Sequence, residues 1–211
     1  MKCDLRVAQL LCSRLCHDLV GAAGAVNAGL ELIAETHDVS GDAFKMTEKS
    51  SGEVTRRLMF FRAAFGLGGT EGFDIPSIGR VVGGLMSDSN VTLFWPDSAP
   101  GASEARAEGA KLLLNLCLVG AECLPRGGSL HVNIAAVESG VGVAIAAEGK
   151  DALLREEVSK AISGGLEIPQ LTARTVNGYL VALIADSLNQ RIEYQQEADI
   201  VKLAALVPYR L

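Results

Sequence analysis

One histidine and one aspartate, His17 and Asp18, interrupt a run of small and apolar residues near the start of the chain, Ser13-Arg14-Leu15-Cys16-His17-Asp18-Leu19-Val20-Gly21. An imidazole nitrogen is nucleophilic when neutral, which makes His17 the candidate working residue. The apolar or small positions Leu5, Ala8, Cys12, Leu15, Leu19, Ala22, Val26, Leu30 and Ile33 alternate three and four residues apart, the spacing of one stripe on a helix. His17 stands two residues from both Leu15 and Leu19, roughly 200° around that helix, so it is expected to face solvent. Ser13, Gly21 and Gly24 share its face, and a glycine inside a helix costs about 1 kcal/mol relative to alanine. A face cleared of side chains lets another protein surface approach the imidazole. The same residues equally fit an ordinary exposed histidine beside glycines that serve helix packing.

The bulk properties narrow the setting. Of 211 residues, 49% are hydrophobic and 21% charged, the make-up of a folded globular chain rather than a disordered one. No apolar run approaches the roughly 20 residues of a membrane span, and Met1-Lys2-Cys3-Asp4 leads directly into the helical pattern, so a cytoplasmic protein away from membranes is expected. The five cysteines, Cys3, Cys12, Cys16, Cys117 and Cys123, form no CxxC pair and read as buried reduced thiols. Cys12 and Cys16 lie toward the apolar stripe and His17 away from it, which argues against a metal site. The net charge is −6, the first 69 residues hold eight basic and eight acidic side chains, and the acidic excess falls in the remainder. No clustered basic face of the kind nucleic acid requires is present.

Helix is expected from about Lys2 to Glu35, then a turn through Thr36-His37-Asp38-Val39-Ser40-Gly41, then helix from Asp42 to Phe65 with Phe44, Val54, Leu58, Phe61 and Phe65 on one stripe. His37 reads as a turn residue. A lone helical hairpin hides too little apolar surface, so two copies are expected to pair into a four-helix bundle, making the protein a homodimer. Gly66-Leu67-Gly68-Gly69-Thr70-Glu71-Gly72 divides the chain into a helical hairpin at 1–69 and a second domain at 70–211. In the second domain the pattern predicts a helix from Asp74 to Met86, a strand Val91 to Trp95 and a long helix Ser103 to Leu124 sandwiched against a sheet. After the Pro125-Arg126-Gly127-Gly128 turn come a hairpin of Ser129 to Val137 with Val141 to Ala147, helices at Ala152 to Ser163 and Arg174 to Leu188, and a final hairpin of Arg191 to Gln196 with Ile200 to Val207. The class is α+β: a helical hairpin followed by an α/β sandwich.

This order of elements resembles a sensor histidine kinase core, with a Bergerat-type sandwich in second place. Arg14-Leu15-Cys16-His17-Asp18-Leu19 sits where the kinase H-box stands, and Leu124-Pro125-Arg126-Gly127-Gly128-Ser129-Leu130 looks like the stretch after the kinase N-box. Aligned on those glycines, the metal-holding asparagine of the N-box falls at Val119, and the adenine-binding aspartate falls at Ala147 in Ala147-Glu148-Gly149-Lys150-Asp151. The second glycine box is reduced to Val176-Asn177-Gly178. A histidine retained beside a degenerate ATP domain is similar to the ChpT-type histidine phosphotransferases, and Asn27-Ala28-Gly29-Leu30-Glu31-Leu32 matches that family too. The proline common five residues after the histidine is Ala22 here, which bears on whether the helix bends.

The resemblance implies that His17 takes a phosphoryl group from the receiver domain of a hybrid histidine kinase and passes it to a response-regulator receiver, each receiver supplying its own Mg2+ and this chain binding no cofactor. It implies orientation of the imidazole by Asp18, either a phosphoryl contact or an i,i+4 ion pair with Asp18 for Arg14, and clearance for docking at Ser13, Gly21 and Gly24. His131, within a strand, is expected to be structural. The rival readings are a non-catalytic module that binds or inhibits two-component proteins, and an ATP-dependent kinase.

Overall fold

The computed structural model describes residues 4–37, 39, 41–66 and 73–210. Asp4 caps the first helix, α1 (Leu5–Thr36), by accepting from the Arg6 N–H, and His37 closes it in the left-handed region at φ 56°. The helix runs uninterrupted through Ala22, so the absence of a proline there leaves α1 unbroken. A second helix, α2 (Asp42–Phe65), returns beside it. Gly29 lets the two helices approach closely, because a methyl group there would overlap the Thr47 hydroxyl, which itself is bonded back to Ala43 at 2.8 Å. Lys2, Cys3, Asp38, Ser40 and the expected boundary residues 67–72 lie outside the described residues.

Helix α3 (Ile75–Met86), with Pro76 in its first turn, leads through a turn to strand β1 (Val91–Phe94). The long helix expected from Ser103 is shorter. A single 3-10 turn at Ala102–Glu104 precedes α4 (Glu108–Glu122), because Ala105 bridges to Tyr209 and the Arg106 N–H donates to Pro208, so the end of the chain holds that segment extended. Strands β2 (Gly128–Val137) and β3 (Gly140–Glu148) pair antiparallel, with Leu130 opposite Ala147. The two glycines at the start of β2 are required: Gly127 has φ 80° and Gly128 φ 145°, and a side chain on Gly128 would run into the Glu148 carbonyl.

Helix α5 (Glu156–Ile162) begins later than expected, since the Leu153 N–H donates to Cys123 and the Leu154 N–H to the Gln196 side chain, pinning 152–155 as an extended segment. Then follow α6 (Val176–Ser187), β4 (Glu193–Glu197) and β5 (Ile200–Pro208). The sheet order is β1-β2-β3-β5-β4, with β1 parallel to β2 and the other pairs antiparallel.

Alternation puts Leu130, Val132, Val143, Ile145, Val201 and Leu203 on the inner face of the sheet, where α4 lies, buried continuously from Leu112 to Gly120. The same core extends into the hairpin through Phe60, Phe61, Ala63 and Ala64 of α2, with Leu15 and Leu19 of α1 packed against it. At the foot of α1, Val7 packs with Leu171 and Val176. Among the described residues no helix is long and apolar enough to cross a membrane.

One sequence expectation fails. Cys117 and Cys123 are buried, but Cys12 and Cys16 are exposed. Leu5, Leu30, Phe44 and Leu58 of the two stripes are open to solvent in the single chain, as the surface a second copy is expected to cover. Periodicity defines a helix face; only the neighbouring elements decide how far along its length that face is covered, and here the elements after α2 cover the first half of α1 and the end of α2.

Candidate functional site

His17 projects from the middle of α1 with 86% of its side chain exposed, on the face the helical spacing assigned to it. Its Nδ1 lies 3.2 Å from Asp18 Oδ1, and Asp18 is only 25% exposed. Helix α2 steadies the same turn: Arg57, held by Glu53 at 2.7 Å, donates to the backbone carbonyl of Asp18 at 3.1 Å. The imidazole therefore has one nitrogen against a carboxylate and the other directed to solvent.

Arg14 lies one turn earlier and points inward. Its Nε is 3.8 Å from Asp18 Oδ2, Nη1 donates to the carbonyl of Ala173 at 3.4 Å, and Nη2 donates to Glu122 of α4. Beside Asp18, Arg14 thus has two partners that the sequence did not indicate, Glu122 and the Ala173 carbonyl. Burial lowers the pKa of the guanidinium, and the charge of Asp18 works in the opposite direction.

Beside His17, α5 and the segment before α6 form the other wall of a cleft of about 600 Å³, lined by Ser13, Arg14, His17 and Asp18 from α1 and by Glu157, Thr172, Ala173 and Arg174. Paired threonines shape that wall. The Thr172 N–H donates to Thr175 Oγ1 at 3.0 Å, and the Arg174 N–H donates to Thr172 Oγ1 at 3.3 Å. The Arg174 guanidinium remains largely exposed, 3.8 Å from Glu157. Ser13 lines the cleft, whereas Gly21 and Gly24 lie further along α1 with open space where a side chain would project. Glu122, Thr172 and Arg174 are missing from the sequence reading because only folding brings them to α1; no local spacing marks them.

The positions aligned with kinase ATP boxes are packed. Val119 and Ala147 are buried in the core, and Gly178 at the start of α6 lies against Val158, Ala161 and Ile162 of α5. A cavity of about 210 Å³ remains there, bounded by Arg14, Val119, Glu122, Cys123, Arg155 and Arg174 among others. That is below the roughly 300 Å³ at which small-molecule sites begin. His131 is stacked on Phe94 with centroids 4.4 Å apart and lies 4.0 Å from Glu148. Among the described residues no three His, Cys, Asp or Glu side chains gather as metal ligands would.

Comparison with known proteins agrees with this layout. The family model described as the histidine phosphotransferase C-terminal domain matches residues 76–200. Protein phosphotransferase ChpT of Brucella abortus (strain 2308) is 30% identical over 210 residues, covering 95% of each chain. A solved bacterial phosphotransferase superposes with a TM-score of 0.82 at 29% identity, over 97% of this chain and 98% of its own. The histidine kinase ThkA in complex with the response regulator TrrA shares the fold, with a TM-score of 0.52 at 16% identity over 94% of this chain and 60% of its own.

Proposed function

Because this chain belongs to the ChpT-type histidine phosphotransferase family, we propose that His17 is its phosphoacceptor, taking a phosphoryl group from the receiver domain of a hybrid histidine kinase and giving it to a response-regulator aspartate in a bacterial cytoplasm. The observation that carries this reading is the arrangement at the imidazole: 86% exposed, with Nδ1 against Asp18. A proton held on Nδ1 by that carboxylate leaves the lone pair on Nε2, facing the incoming partner. As Nε2 attacks phosphorus, the new N–P bond forms while the acyl–oxygen–phosphorus bond breaks, and the receiver's aspartate leaves as a carboxylate. The Nδ1 proton stays on the ring. Return to a second aspartate reverses these steps. The work is positioning and charge neutralisation, and the receiver brings the Mg2+ that shields the phosphoryl oxygens.

The cleft beside His17 gives the second domain its part. Ser13, Gly21 and Gly24 leave room along α1, and Arg174 offers a cation to the acidic rim that a receiver presents around its aspartate. Buried Val119 and Ala147 offer no ligand to a metal–nucleotide, which favours a relay over an ATP-dependent kinase. The open apolar stripes of α1 and α2 favour a homodimer joined through a four-helix bundle.

The decisive experiment mixes the protein with a receiver carrying labelled phosphoryl and follows the label. Label should pass to this chain and not to His17→Ala. Equal labelling of the variant, or no labelling of the unaltered chain, overturns the proposal.

A further inference from the structure

A file of charged side chains runs from the second domain to the imidazole. Glu122, the last residue of α4, accepts from Arg14; Arg14 Nε stands 3.8 Å from Asp18 Oδ2; and Asp18 Oδ1 stands 3.2 Å from His17 Nδ1. Arg14 is the most covered member of the file, at 14% exposure between Glu122 at 32% and Asp18 at 25%, and His17 stands at 86%. Arg14 therefore sits between two carboxylates and binds them unequally. It makes a hydrogen bond to Glu122 and another to the Ala173 carbonyl, while 3.8 Å from its Nε to Asp18 is too long for one.

That inequality matters because Asp18 has two claimants, the guanidinium and the imidazole N–H. A buried guanidinium that loses one carboxylate partner draws closer to the other. Without the charge of Glu122, Arg14 would close on Asp18 as a two-pronged donor and turn its carboxylate away from Nδ1.

We propose that Glu122 is a positioning residue for transfer at His17: by holding Arg14 back from Asp18, it keeps the Asp18 carboxylate on Nδ1 and so keeps the reactive lone pair on Nε2. This rests on His17 being the phosphoacceptor, and it gives the second domain a role inside the chemistry as well as in docking. Glu122 touches neither imidazole nor phosphoryl group and acts only through Arg14.

The test uses the full chain, Glu122→Gln, and the double variant Arg14→Gln with Glu122→Gln. Imidazole 15N spectra give the Nδ1–H fraction of His17, assigned by its loss in His17→Ala among the three histidines of the chain. Transfer from a labelled receiver gives the rate, and melting curves establish that each variant is folded. Glu122→Gln should lower the Nδ1–H fraction and slow transfer about tenfold, the change that about 1.4 kcal/mol of barrier produces. The double variant, with no guanidinium to compete, should regain the Nδ1–H fraction of the unaltered chain. A merely structural Glu122 would leave the tautomer unchanged in the single variant, or leave the double variant as altered as the single, and either result overturns the proposal. Failure of the unaltered chain to accept label overturns the functional reading instead, and the tautomer measurement still decides the part played by Glu122.

Discussion

Two buried thiols, Cys117 within α4 and Cys123 just after it, lower stability at alkaline pH. Burial pushes the Cys123 thiol up to about 12 from an ordinary value near 9.0, and raises Cys117 further. A thiol whose pKa is raised by folding contributes stability that is whole below the unfolded value and is lost as pH climbs toward the folded one. Above pH ~9 the unfolded chain releases protons that the folded chain keeps, at a cost of up to about 1.4 kcal/mol per pH unit for each thiol. Urea unfolding at pH 8 and pH 10.5 should therefore show a marked fall in stability, and the double variant Cys117→Ala, Cys123→Ala should lose clearly less across the same interval. An equal loss in the variant would place the alkaline sensitivity elsewhere. At this scale the sequence is half informative. His17 and Asp18 declare themselves because their meaning is local: neighbours in sequence, displaced from an apolar stripe. Glu122 meets Arg14 across 108 residues and looks in the sequence like any acidic side chain at a helix end.

Among the elements, the approach of α1 and α2 turns on Gly29. A methyl there would overlap Thr47 Oγ1, with the Ala43 carbonyl 3.3 Å away. Gly29→Ala should cost about 1–3 kcal/mol, the usual penalty for overpacking, and should weaken the hairpin in thermal or urea melts. Combined with Thr47→Ala, which removes the obstructing hydroxyl, it should cost less than the sum of the two single changes; simple additivity would show that the helices do not meet through this pair. The element boundaries also show where sequence reading stops. Helix α2 and the β2–β3 hairpin are legible because periodicity and glycine turns mark both ends. The starts of α4 and α5 are not, because Ala105, Arg106, Leu153 and Leu154 have helical surroundings in sequence but spend their backbone groups on distant strands and side chains. The parallel pairing of β1 with β2 is likewise settled by tertiary packing alone.

For the whole molecule, the uncovered side chains of the hairpin make a quantitative demand. Leu5, Leu30, Phe44, Met46, Leu58 and Met59 lie open to solvent in the single chain, and burying a large apolar side chain fully contributes about 1.5–3 kcal/mol. Light scattering at tens of micromolar should give twice the chain mass for the unaltered protein and the single mass for Leu30→Glu with Leu58→Glu. A monomeric unaltered chain would remove the four-helix bundle from the account. Within one chain the two parts are fastened where α1 meets the segment before α6. Arg6 donates to the carbonyls of Ile168 and Leu171 at 3.1 and 3.0 Å, and Arg14 donates to that of Ala173 further up the same helix. This double fastening has a thermodynamic meaning for capture of a partner. An apparent dissociation constant is the intrinsic one divided by the fraction of molecules already in the competent arrangement. Fastened at both points, the two walls of the cleft already stand together in the free chain, so under the proposed function little of a receiver's binding energy would go into assembling them.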